Sequence, residues 1–202
     1  MPRALLLTAL ALPLLSGAPL PPPEAVDAAA YEAAARPGDV VFRRGRSLVS
    51  RAVLTGDRGA AFSHVGIVAR RGGALVVVHA TPGADAAVPE PVRVEPLAAF
   101  FARASAEAGA LRRPRDPALG RRAARAALRL ASGRTFDAAL DLGTDDRLYC
   151  TELVWKAYRE AGADLTGGRF DYAGGLLHDG PMVFPSTLFR TPSLAPVPGL
   201  AP

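Results

Sequence analysis

Cys150 is the chain's only cysteine, and it stands where a thiol can do chemistry. It opens a predicted helix, after the polar loop Gly143-Thr144-Asp145-Asp146-Arg147. The first turn of a helix carries unpaired N–H groups and the positive end of the helix dipole. Both favour a thiolate, so a lowered pKa is expected for Cys150. The same N–H groups are suited to hold the oxyanion that forms when sulfur attacks a carbonyl. A thiol nucleophile also needs a base, usually histidine. The chain has three histidines. His64 opens one apolar segment and His79 lies near the end of the next. If the two segments are antiparallel neighbours, both imidazoles sit at one end of a hairpin. His64 is then the candidate general base and His79 the third residue that orients it. His178, in the glycine-rich stretch 174–180, reads as a surface or rim residue.

Each of these residues has a plainer reading. A lone cysteine is often a small buried hydrophobe, and His79 is also explained as a satisfied polar group at a strand end. Three histidines with aspartates could form a metal site. No two histidines fall at i, i+2 or i, i+4, however, and His178 is isolated. No metal and no other cofactor is expected. A single cysteine excludes a disulfide within the chain and zinc sites built on paired cysteines.

The elements around these residues follow from periodicity and turn chemistry. Ala28 to Ala35 suits a short helix. Arg36-Pro37-Gly38-Asp39 is a turn, and Val40-Val41-Phe42 a strand ended by Arg43-Arg44-Gly45-Arg46. Ser47 to Leu54 suits a second short helix. His64 to Ala69 and Ala74 to Ala80 read as a hairpin turned by Arg70-Arg71-Gly72-Gly73. A third strand is expected at Val92-Arg93-Val94. Residues 96–108 read as a helix ended by Gly109, with another strand beginning near Leu111. Ala118 to Ala131 is the clearest amphipathic helix, with Ala124, Ala127, Leu128 and Ala131 on one face and Arg121, Arg122, Arg125 and Arg129 on the other. Residues 151–161 form a helix with the stripe Leu153, Val154, Ala157, Tyr158 and Ala161. The proline-rich tail from Pro192 is expected to be loose.

The 202 residues suit one domain, and a composition that is 50% hydrophobic and 21% charged is globular. The net charge of +5 is almost all arginine, with Lys156 the single lysine. That charge suits an anionic envelope surface, and no aromatic-interleaved basic motif points to nucleic acid. Met1-Pro2-Arg3 followed by the apolar run Ala4 to Leu15 and Ser16-Gly17-Ala18 has the order of a signal peptide, cleaved or retained as an anchor. The organisation expected is a signal or anchor segment over 1–18, a linker with a short helix over 19–35, one domain over 36–192 and a flexible tail over 193–202. An exported, periplasmic or secreted protein with an unpaired thiol must bury it or use it.

Several segments together resemble a known family. His64-Val65-Gly66-Ile67-Val68, a glycine turn and Val78-His79-Ala80 resemble the catalytic hairpin of NlpC-type papain-like hydrolases. Pro37-Gly38-Asp39-Val40-Val41-Phe42 resembles the strand before it. Tyr149-Cys150-Thr151-Glu152-Leu153-Val154-Trp155 resembles the cysteine helix. Histidine precedes cysteine, which matches the circularly permuted branch, most closely the YiiX/YaeF-like amidases. Thr135-Phe136-Asp137 and Phe184-Pro185-Ser186-Thr187-Leu188 resemble further elements of that branch, so the likeness spans about residues 36–192.

The resemblance implies an α+β papain-like fold, a small antiparallel sheet or half-barrel packed against the cysteine helix. It implies Cys150 as nucleophile, His64 as base and His79 as third residue, a place where YiiX-like relatives often carry glutamate. Tyr149 and Thr151 flank the nucleophile as candidate substrate-binding residues, with packing the alternative for Tyr149. The expected reaction is cleavage of an amide or ester through a thioester, in a cell-wall peptide or an acyl lipid. The rivals are a lipid acyltransferase or thioesterase-like activity and a non-catalytic envelope-binding module. No obligate protein partner is implied.

Overall fold

The computed structural model describes residues 26–85, 88–174 and 179–200. The expected signal segment and His178 lie outside them. Six strands form one antiparallel sheet, and they are given in chain order as β1 (Val40–Gly45), β2 (His64–Arg71), β3 (Ala74–His79), β4 (Arg93–Pro96), β5 (Ala106–Pro114) and β8 (Leu194–Pro196). Their spatial order is β4-β3-β2-β1-β5-β8. Short strands β6 (Thr135–Phe136) and β7 (Arg147–Leu148) pair parallel to each other. The helices are α1 (Ala28–Ala34), α2 (Leu48–Gly56), α3 (Leu97–Phe100), α4 (Pro117–Ala131), α5 (Cys150–Glu160) and α6 (Pro185–Arg190).

Strand alternation divides the core into two layers. Val40, Phe42, Val65, Ile67, Val76 and Val78 pack with the apolar faces of α4 and α5. Their neighbours Val41, Val68 and Val77 pack with Tyr31 of α1 and with Leu97 and Phe100 of α3. A sheet covered on both faces explains why these strands read as nearly continuous apolar runs. On α5, Leu153, Val154, Ala157 and Tyr158 are all buried. Each large apolar side chain removed from water in this way contributes roughly 1.5–3 kcal/mol. The α5 stripe therefore seats the helix firmly, with Cys150 at its first position.

The turn before β1 ties the layers together. Gly38 has φ 97°, and a Cβ there would lie 2.3 Å from the Gly120 backbone of α4. Glycine is needed on both counts. Buried Asp39 accepts two bonds from Arg113 of β5, from Nε at 2.9 Å and Nη2 at 2.6 Å. Tyr158 of α5 donates its hydroxyl hydrogen to the Gly38 carbonyl.

Four expectations are corrected. The strand expected at residues 40–42 runs on to Gly45, because β2 pairs with it as far as Arg43 and β5 as far as Gly45. The helix expected over 96–108 is only Leu97–Phe100, and Ala106 already belongs to β5. Alanine-rich sequence favours helix locally, but β5 fills the place between β1 and β8, and tertiary pairing overrides propensity. Gly109, expected as a helix stop, lies within β5, where a Cβ would sit 2.7 Å from the Phe101 ring. The tail expected to be loose contributes β8, which pairs with β5 and buries Leu194.

Candidate active site

His64 and His79 come together as the hairpin demands. β2 and β3 are antiparallel, and Ile67 faces Val78. Gly66 lies between the two histidines for a steric reason. A Cβ there would lie 2.5 Å from Val77 Cγ1 and 3.1 Å from His79 Cβ. The rings meet edge to face, and His64 Nε2 lies 2.8 Å from His79 Nδ1. His79 is buried, and its Nε2 lies 2.9 Å from Glu95 Oε1 on β4. His64, His79 and Glu95 thus form one continuous polar line across three strands. With Nε2 of His64 engaged, Nδ1 is its remaining nitrogen.

Cys150 and His64 line the same cavity, of about 120 Å³. The sulfur is served by backbone N–H groups of Val65, Thr151 and Cys150 itself. These favour the thiolate, as expected of a helix start. Burial nonetheless dominates and pushes the thiol up to about 11. The lowered pKa expected from position alone is corrected on this point: desolvation of the anion outweighs the dipole and the N–H groups. Burial also holds His64 well below its ordinary 6.5, with Arg43 and His79 adding to the effect. At neutral pH the cavity is therefore lined by a neutral thiol and a neutral imidazole.

Tyr149 and Thr151 both line the cavity, but their hydroxyls are engaged elsewhere. Thr151 Oγ1 donates to the Val183 carbonyl at 2.6 Å, and Val183 N–H donates to Tyr149 Oη at 3.0 Å. The two residues clamp the start of α5 to the segment before α6. What they offer the cavity is mainly apolar surface. Behind them Tyr149 N–H donates to Glu152 Oε2 at 3.1 Å, half of a capping box. Glu152 is fully buried, and burial pushes its carboxyl up to about 7 despite Lys156, whose Nζ lies 3.0 Å away. Lys156 also binds the Thr144 carbonyl and Asp145. The single lysine therefore joins the cysteine helix to the loop before it.

Two residues of the site escaped sequence reasoning. Glu95 falls between the strand expected at Val92-Arg93-Val94 and the helix expected from residue 96, and only the β3–β4 register carries it to His79. Arg43 looked like part of a turn. It pairs across the sheet with His64, donates to the Phe100 carbonyl at 2.7 Å and lies 4.6 Å from the Phe100 ring centre. His64 stacks on the same ring. Asp137, from the Thr135-Phe136-Asp137 element, is buried and caps its own loop by accepting from Ala139 N–H and Asp141 N–H. Among the described residues no group of three or more His, Cys, Asp or Glu side chains is placed to hold a metal ion.

A search of curated proteins found no match. A solved structure described as metalloprotein YiiX from Escherichia coli O157:H7 is similar to this chain, with a TM-score of 0.67 and 24% sequence identity. The likeness covers 84% of this chain and 99% of that one, and it shows a shared fold. The sequence also matches, over residues 34–197, the family described as permuted papain-like amidase enzyme, YaeF/YiiX, C92 family. With histidine hairpin before cysteine helix and a match over most of its length, the chain belongs to the permuted papain-like amidases of the YaeF/YiiX, C92 family.

Proposed function

We propose that this hydrolase cleaves an amide or ester bond next to an apolar acyl group, through a thioester on Cys150. Membership of a papain-like amidase family makes the protein a cysteine hydrolase. The observation that supports the acyl substrate is the lining of the cavity. Val49, Val53, Phe136, Leu140, Met182 and Phe184 contribute to it, and no Asp, Glu, Lys or Arg among the described residues does. A cell-wall peptide carries carboxylates that call for cationic partners. An acyl chain calls for none. A cavity of about 120 Å³, partly open to solvent, suits a short length of chain; a cavity of about 150 Å³ holds a benzene.

The chemistry follows from the resting protonation states. His64 takes the thiol proton as sulfur attacks the carbonyl carbon, and the carbonyl oxygen becomes an oxyanion. The backbone N–H groups at the start of α5 face that charge. Collapse expels the amine or alcohol, which receives the proton from His64. Water, deprotonated by His64, then releases the acid and restores the thiol. His79 holds the His64 ring.

Export is part of the same reading, supported by the basic, apolar and small-residue order of positions 1–18. The exposed Arg121 and Arg125 of α4 favour contact with an anionic envelope surface. The test is incubation with acylated phospholipids, N-acyl amides and muropeptides, followed by mass spectrometry. Released fatty acid and an acyl adduct on the intact protein are expected, both absent from Cys150→Ala, which keeps its melting temperature. Turnover of muropeptides alone overturns the acyl assignment. Full activity in Cys150→Ala overturns the thioester.

A further inference from the structure

We propose that Glu95 is a positioning residue that dictates which nitrogens of His79 and His64 carry protons, and so leaves His64 Nδ1 bare for Cys150. The proposal rests on His64 being the base. Two neutral imidazoles in contact have two equivalent proton patterns. In one, His64 Nε2–H donates to His79 Nδ1, and His64 Nδ1 is an open lone pair. In the other, His79 Nδ1–H donates to His64 Nε2, and His64 Nδ1 carries the hydrogen. Only the first makes His64 a base toward sulfur. The contact of 2.8 Å between the rings does not distinguish them.

Glu95 does. An ionised carboxylate only accepts. Its Oε1 lies 2.9 Å from His79 Nε2, so that nitrogen must carry the hydrogen. His79 is 1% exposed and neutral, since burial lowers its pKa more than Glu95 raises it. Its Nδ1 is therefore an acceptor, and the facing His64 Nε2 must donate. His64 is also neutral, so its Nδ1 is bare. Each step is forced by the one before it, and the sequence starts at Glu95. The carboxylate is kept ionised by its bond to His79, with Arg43 and Arg93 assisting. The β3–β4 register sets this geometry: His79 faces Arg93 and Val77 faces Glu95, which puts Glu95 diagonal to His79 on the same face. When His64 accepts the thiol proton at Nδ1, its Nε2–H still points to His79, and no bond in the line has to reverse.

The chain's three histidines make the proton pattern readable by long-range 15N–1H correlation on the histidine-labelled full-length protein. Wild type is expected to show His64 and His79 both protonated at Nε2. In Glu95→Gln, the amide either donates or accepts, and an Nδ1–H population should appear on both rings. kcat is expected to fall about 10–100-fold, the range known for loss of the outer partner that orients a metal-bound imidazole. KM should change by less than about twofold, because Glu95 does not meet substrate. An Nδ1–H tautomer of His79 in wild type overturns the proposal and needs no variant. So does a Glu95→Gln enzyme in which tautomers shift without loss of kcat, or in which kcat falls with tautomers unchanged. If His64→Ala retains activity, the base assignment itself fails, whatever the tautomers show.

Discussion

On the hairpin side of the cleft, the polar groups follow one another along neighbouring strands. His64, His79 and Glu95 sit on β2, β3 and β4, and each bond joins two side chains with exchangeable or acceptor sites. On the helix side, beside the Lys156–Glu152 pair, the bonds run from side chain to the backbone of another segment. Thr151 and Tyr149 hold Val183, and Lys156 holds the Thr144 carbonyl. The first arrangement can move a proton. The second can only hold a shape. Ionisable groups thus serve two ends within one candidate site: imidazoles kept neutral by burial on one side, and a carboxyl–ammonium pair that fixes the Cys150 helix on the other.

This contrast predicts different failures on the two sides. The largest effect is expected for His64→Ala, which should lower kcat/KM by about a thousandfold with little change in melting temperature. Alkylation of Cys150 in that variant should become fast only at alkaline pH, since burial raises the thiol's pKa. In wild type the acid limb of kcat/KM should lie well below 6.5. Burial favours neutral His64, so the base is lost only on acidification past its depressed pKa. An acid limb at or above 6.5 would break the distinction between a neutral pair and a preformed ion pair.

On the helix side, Lys156→Met leaves the fully buried Glu152 without its cation, a change that typically costs about 3 kcal/mol. The sign of its pH dependence is fixed by Glu152. A carboxyl with a raised folded pKa stabilises below its unfolded value and loses that contribution as pH rises through about 7. The drop in melting temperature should therefore be larger above pH 7 than below it. An equal drop at both would place the role of Lys156 in packing or in Asp145 instead. The smallest effect is expected for Thr151→Val, which leaves the Val183 carbonyl unpaired at a cost of about 1–2 kcal/mol. Melting temperature and rate should fall together, in contrast to the hairpin variants, where rate falls alone.

Periodicity and turn chemistry were enough to recognise the histidine hairpin, the amphipathic α4 and the cysteine helix, because each is specified by residues close in sequence. The helix expected over 96–108 failed for the converse reason. Nothing local says that alanine-rich residues 106–114 must fill the gap beside β1. Glu95 was hidden similarly, since its partnership with His79 depends on a register set across the connection between β3 and β4. Tyr149 and Thr151 were recognisable as neighbours of Cys150, but their bonds to Val183 join segments more than thirty residues apart.

By itself, the sequence determined which residue types meet at the site: a single thiol at a helix start and two histidines on one hairpin, in permuted order. Those are properties of local pattern, and local backbone preference carries them. The tertiary structure alone decided how those groups are ionised and aligned. A pKa depends on how much water is removed around a group and which charges face it, and only the packed sheet and helices set both. Position suggested a ready thiolate at Cys150; packing keeps it a thiol, with Glu95 behind His79 at the end of the polar line.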